Sequence, residues 1–174
     1  MTPANPSPIR VRAATDADSV GLIRLIEDIF HEYPGCIMDV ENEEYKLKTP
    51  ATSYDRFWVL DRDGEVVGCI AASFDQASGE FELQKLYIHA DLRCGGWGRR
   101  LVEVVEVEAR QLGFDEIELW TDTRFETAHR FYVGLGYRKT CRTRDLHDLS
   151  KTTEYQFIKS ITKPLTSVGS RNSC

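Results

Sequence analysis

Between Glu80 and Leu112 the chain runs from a strand-like alternation into a turn with three glycines in four residues (Gly95, Gly96, Gly98), then into a helical pattern. In the helical part, Leu101, Val104, Val105, Ala109 and Leu112 recur at spacings of three and four, and Gly113 marks the stop. A strand joined by a tight turn to an amphipathic helix needs a sheet for that helix to cover, which excludes all-α and all-β architectures. Glycine permits positive φ and close approach to the backbone. Successive amides at a helix N-terminus form an anion site suited to a pyrophosphate. Arg93, Arg99 and Arg100 concentrate positive charge at this corner of a chain whose formal net charge is −6. Two common nucleotide-binding patterns do not fit. A P-loop needs Lys followed by Ser or Thr where Arg99 and Arg100 stand. A dinucleotide fold would place the turn after the first strand with different glycine spacing. The same glycines would also serve a turn that merely caps a helix.

The flanking patterns supply the rest of the sheet. Ile9 to Ala13 alternates as a short strand, and Thr15 with Asp18 three residues on opens a helix. Leu22, Leu25, Ile26, Ile29, Phe30 and Tyr33 line one face of that helix, which Pro34-Gly35 stops. Cys36 to Asp55 reads mainly as a long loop with room for a short helix. Phe57–Leu60 and Glu65–Ser73 form a hairpin around Asp-Arg-Asp-Gly, and Glu80–Ile88 is the next strand. A strand at Glu116–Thr121 and a helix at Thr127–Leu135 follow, then strands at Tyr137–Thr143 and Thr153–Ile161. The fold class is α/β (α+β), a mixed sheet with helices on both sides. At 174 residues the chain suits one domain, placed at residues 9–162 between a disordered N-terminus (1–8) and a flexible tail (163–174).

Composition narrows the function classes. No apolar run approaches the ~18–20 residues of a membrane span, and the first eight residues lack the features of a secretory signal. Lys plus Arg number 22 against 28 Asp plus Glu, which argues against a general nucleic-acid binder. The five cysteines (36, 69, 94, 141, 174) include no C-x-x-C pair, so neither a metal site nor a disulfide framework is expected. Free thiols fit a cytoplasmic protein.

Arg93, Gly96 and Gly98, directly after the strand ELQKLYI, resemble the signature of the GNAT superfamily of N-acetyltransferases. The resemblance continues downstream through Ala128-His129-Arg130-Phe131-Tyr132 and Leu135-Gly136-Tyr137, and in element order it spans roughly residues 9–161. It implies the acyl-CoA N-acyltransferase fold, with a six- to seven-stranded central sheet. Its co-substrate would be acetyl-CoA, seated in a V-shaped gap between the strands at Glu80–Ile88 and Glu116–Thr121. Main-chain groups of Leu86, Tyr87 and Ile88 would pair with the pantetheine arm. The loop Arg93, Cys94, Gly95, Gly96, Trp97, Gly98 and Arg99 would hold the pyrophosphate. Phe125 stands where many members carry Asn, so a side-chain contact to the donor is not expected there. Homodimers are frequent in the family, which leaves a second copy open as a partner.

Acetyl transfer to an amine needs a proton acceptor and a proton donor to the departing thiolate. By position in the resembling motif, Tyr132 is the expected acid, although its spacing with Ala128, Phe131 and Leu135 equally suits a core tyrosine. Glu82, eleven residues before Arg93, matches a position where some members carry a catalytic glutamate, and it shares a strand face with Glu80 and Gln84. The second choice of base is His147 with Asp148, in the turn between the last two strands. His129 reads as a polar-face or donor-adjacent residue, and Cys94 is discounted as a nucleophile. Asp39, Glu41, Glu43 and Glu44, in the segment that commonly walls the acceptor site, favour a small cationic amine, although a solvated acidic loop would look the same. Tyr45, Tyr54, Phe57 and Trp58 could form an aromatic wall. The expected function is acetyl transfer to a primary amine in a ternary complex. The alternatives are protein or peptide N-acetylation and a non-catalytic acyl-CoA-binding module.

Overall fold

The computed structural model describes residues 8–162, so all but Pro8 of the expected terminal tails lies outside the described residues. Seven strands form one sheet in the order β1-β2-β3-β4-β5-β7-β6. They are β1 (Ile9–Ala13), β2 (Arg56–Arg62), β3 (Glu65–Asp75), β4 (Glu80–Ile88), β5 (Glu116–Asp122), β6 (Arg138–Asp145) and β7 (Thr153–Ser160). β4 and β5 pair in parallel, and every other neighbouring pair is antiparallel. The helices are α1 (Ser19–Phe30), α2 (Pro50–Ser53), α3 (Trp97–Gln111) and α4 (Glu126–Gly134). The segment read as a long loop holds a 3-10 turn at Tyr45–Lys48 and the short α2, too brief to leave a periodic trace.

Strand alternation divides the core in two. On one face α1 sends Leu22, Leu25, Ile26 and Ile29 against Phe57, Val59, Cys69 and Ala71. On the other, Leu101, Val102, Val105 and Ala109 of α3 and Tyr132 of α4 meet Leu60, Ile70, Phe81, Leu83, Ile117, Leu119 and Phe157. Helices thus cover both faces, as expected. Burying a Leu or Ile side chain contributes ~1.5–3 kcal/mol, so these two layers hold the sheet.

Asp18 Oδ2 reaches back to accept the Thr15 amide at 2.8 Å, as the spacing implied. Its other interaction was not legible. Arg12 donates to Asp18 at 2.7 Å and to Asp61 at 2.7 Å, and this guanidinium holds the Asp18 carboxyl down to about 2. On the opposite side of the molecule, buried Glu106 of α3 accepts from Lys159 at 2.7 Å and from the Tyr137 hydroxyl at 3.3 Å.

Candidate active site

β4 and β5 are paired only at Glu82↔Glu118 and Leu83↔Leu119. Beyond them β4 bends away. Cys69 and Ala71 of β3 face Tyr87 and Gln84, so β4 carries one extra residue, and Lys85 adopts a left-handed φ of 55°. A bulge of this kind bends a strand and re-aims its side chains. It is tied down on both sides: the Cys69 thiol donates to the Lys85 carbonyl at 3.1 Å, and the Lys85 ammonium donates to Glu44 at 2.7 Å. Leu86, Tyr87 and Ile88 therefore keep an edge toward β5 that no strand occupies.

The chain then makes a single 3-10 turn (Ala90–Leu92) and enters the glycine loop. Gly96 caps α3 at φ 81°, a conformation that costs other residues ~1–2 kcal/mol. A Cβ on Gly98 would lie 3.2 Å from Phe131 Cζ, so Gly98 sets how closely α4 approaches α3. The first turn of α3 leaves the amides of Trp97, Gly98 and Arg99 without helical acceptors. The amides of Arg93 and Gly95 already donate within the loop, to Ala90 at 3.2 Å and Leu92 at 3.3 Å. The Arg93 side chain is spent as well: it clamps Glu32 with bonds of 2.6 and 2.7 Å and donates to the Ile88 carbonyl at 3.1 Å. Arg93 thus pins the end of α1 to the loop. An open sheet edge leading to unspent amides at a helix N-terminus fits a long ligand with an amide-bearing arm and a pyrophosphate.

A cleft of about 500 Å³ passes through the splay. Its lower wall comes from Phe125, Ala128 and Tyr132, and its upper wall from Glu82, Trp120, Arg144 and Glu154. Tyr132 is 6% exposed, and burial raises its phenol well above the ordinary value, so it keeps its proton at neutral pH. Phe125 packs on Tyr33 with ring centroids 4.5 Å apart.

On the upper side two carboxylates share one guanidinium. Arg144 donates to Glu154 at 2.5 Å and to Glu82 at 3.4 Å, while its guanidinium lies 4.5 Å from the Trp120 ring centroid. Burial outweighs Arg144 at Glu154 and raises its proton affinity above that of a free glutamate. Asp122 is held by Arg124, which also donates to Thr152 at 3.2 Å. The two segments over the cleft are joined. Ile37 donates its amide to Ser150 Oγ at 2.8 Å, and the Leu149 amide donates to Glu43 at 2.7 Å.

The expected residues separate clearly. Glu82, Leu86, Tyr87, Tyr132, Asp148, Glu43, Glu44, Tyr45 and Tyr54 line the cleft. Asp39 instead closes its own turn onto Glu41 and Asn42, and Glu41 pairs with Lys48. Phe57 lies in the α1 core and Trp58 packs against the opposite one. His147 is exposed at φ 54°, and Asp148 accepts the Thr152 amide at 2.7 Å. His129 Nε2 lies 2.9 Å from the Asp122 carbonyl and its ring stacks on Phe157. Cys94 is exposed at φ 63°. Sequence reasoning missed Lys85, Trp120, Arg144 and Glu154. Alternation along the strands carried a faint sign of the last three, but nothing local showed that they meet.

The sequence pattern of the Acetyltransferase (GNAT) family matches residues 22–137, which contain the splay, the glycine loop and Tyr132. The chain belongs to the GNAT family. An IAA acetyltransferase of Azospirillum brasilense is 34% identical over 117 residues, 67% of this chain and 76% of the relative. A GNAT acetyltransferase structure from Staphylococcus aureus superposes with a TM-score of 0.74 at 18% identity, covering 89% of this chain and all of the other. A Salmonella typhimurium protein solved with its cofactor acetyl-CoA has a TM-score of 0.67 at 17% identity, covering 90% of this chain and 96% of the other. As a GNAT enzyme the chain is an acetyl-CoA-dependent N-acetyltransferase. Among the described residues, no helix is long and apolar enough to cross a membrane.

Proposed function

We propose that the enzyme acetylates the primary amine of a small acceptor that enters over Glu82 and meets the donor in the β4–β5 gap. One observation carries the reading: a single cleft joins a carboxylate-rich side to the side that holds Tyr132. Bound acetyl-CoA supplies the acyl group as a reactive thioester. Leu86, Tyr87 and Ile88 hold the pantetheine arm through the main-chain edge that β5 leaves free, and the amides of Trp97, Gly98 and Arg99 hold the pyrophosphate, with Cys94 and Gly96 shaping the loop. Arg93 and Gly95 contribute by fixing that loop rather than by their own amides.

Alkylammonium groups have pKa values near ~10.4, so the acceptor must lose a proton before its nitrogen can attack. Glu82 takes that proton, directly or through a water. It is held by Arg144 at 3.4 Å, a longer contact than Arg144 makes with Glu154, so it is the more easily turned of the two. Tyr132 gives its phenolic proton to the departing sulfur and regains one from the nitrogen, so one proton per turnover leaves to solvent. His147 is exposed, which favours Glu82 as the base. The test is thiol release from acetyl-CoA with a panel of amines, beside calorimetric binding of acetyl-CoA. Release with an amine class is expected. Binding without release across the panel would instead favour a non-catalytic acyl-CoA module.

A further inference from the structure

Charge alone would suggest a polycationic acceptor, but the cleft's carboxylates are mostly spoken for. Glu44 is matched by Lys85 and Asp122 by Arg124, while Glu43 and Asp148 accept backbone amides of the overhanging loop. At Glu82 and Glu154, one guanidinium serves two carboxylates. That cluster sits where β4 and β5 part, and it has the charge to receive one ammonium.

The outer part of the cleft has a different chemistry. Ile37, Tyr45 and Leu146 all line it, yet they are 47%, 53% and 44% exposed, among the few large apolar side chains so open to water. Ile37 and Tyr45 come from the segment after α1, and Leu146 from the β6–β7 loop. The bonds from Ile37 to Ser150 and from Leu149 to Glu43 hold these two segments together, so their apolar side chains form one rim. Phe30 and Tyr54 continue that surface inward.

Resting on the transferase reading above, we infer that the acceptor is a small monoamine with an apolar body, its ammonium at Glu82 and Glu154 and its apolar part against Ile37, Tyr45 and Leu146. The rim residues themselves reward an apolar body with burial and give a second ammonium no such gain, which favours monoamines of this kind over polyamines and aminoglycosides.

The experiment compares kcat/KM for phenethylamine, hexylamine, ethylamine, spermidine and a lysine-containing peptide. Phenethylamine and hexylamine are expected to exceed ethylamine by about tenfold or more, given what each buried methylene contributes, and to exceed spermidine and the peptide as well. Ile37→Ser and Leu146→Ser should each reduce the phenethylamine-to-ethylamine ratio several-fold. Val20→Ser, which changes an apolar side chain 79% exposed on α1, should leave that ratio unchanged. Thermal melting of the variants checks that they fold. A flat ranking, a spermidine- or peptide-led ranking, or a ratio unmoved by both rim variants would overturn this assignment while leaving the transferase reading intact. No thiol release with any amine would overturn both.

Discussion

The two ends of the cleft are built from different materials. The end proposed for the donor is mostly main chain: a bulged strand edge, a glycine in a left-handed conformation and the open first turn of α3. It draws on one stretch of sequence from Gln84 to Arg99, with Tyr132 the main side chain added from elsewhere. The end proposed for the acceptor is nearly all side chain, drawn from the segment after α1, from β4, β5 and β7, and from β6 with its following loop. A main-chain site depends on local φ and ψ and tolerates many side chains. A side-chain site depends on which strands neighbour one another and on which face each residue points to. In the proposed function the first kind holds acetyl-CoA and the second holds the acceptor.

Variants can break that division. The largest expected effect is at the junction: Tyr132→Phe should lower kcat by about 100-fold while calorimetry finds acetyl-CoA binding within about twofold. An unchanged kcat would remove Tyr132 as the proton donor. Because burial raises its phenol, loss of the Tyr132 proton should not limit the rate below pH ~10, where a free phenol titrates.

Glu82→Gln should reduce kcat by ~10- to 100-fold while acetyl-CoA binding stays within about twofold. An unchanged kcat would move the base role to Glu154 or water. On the donor side, Gly96→Val places a branched side chain at φ 81° and should weaken acetyl-CoA binding by about tenfold. The acceptor KM, measured at saturating donor, should change less. If both constants rise together, the two ends are not separable.

The smallest effect belongs to neither end. Asp18→Asn should cost about 1–2 kcal/mol of stability near neutral pH, because Arg12 depresses the native carboxyl to about 2. The depressed value means the contribution is present above the unfolded pKa near ~3.9 and is lost as pH falls toward about 2. The wild type should therefore lose more stability than the variant across that window in denaturant titrations, with kinetic constants at neutral pH alike.

Much of the local structure at the end proposed for the donor was legible in the chain. The periodicity of 98–112, the alternation of 80–88 and the glycines between them are local patterns, and local patterns are what φ, ψ and helix capping respond to. The use made of Arg93 was not: its value as a cation suggested phosphate, whereas Glu32, sixty-one residues away, takes its guanidinium. Of the four acidic residues noted after α1, the chain alone could not show that Asp39 and Glu41 would close local contacts while Glu43 and Glu44 reach the cleft.

The sequence by itself determined the order of elements, the two apolar faces, the glycine turn and, through the motif, the family and its donor. Each depends on contacts between residues close in the chain or on a period along it. Only the tertiary structure decided that Glu82, Arg144 and Glu154 meet, that Trp120 lies beneath Arg144, and that Ile37 and Leu146 share one rim. Those meetings come from the insertion of β7 between β5 and β6 and from the bulge that turns β4 away from β5. The balance of packing over the whole sheet sets both, and no segment carries that balance alone.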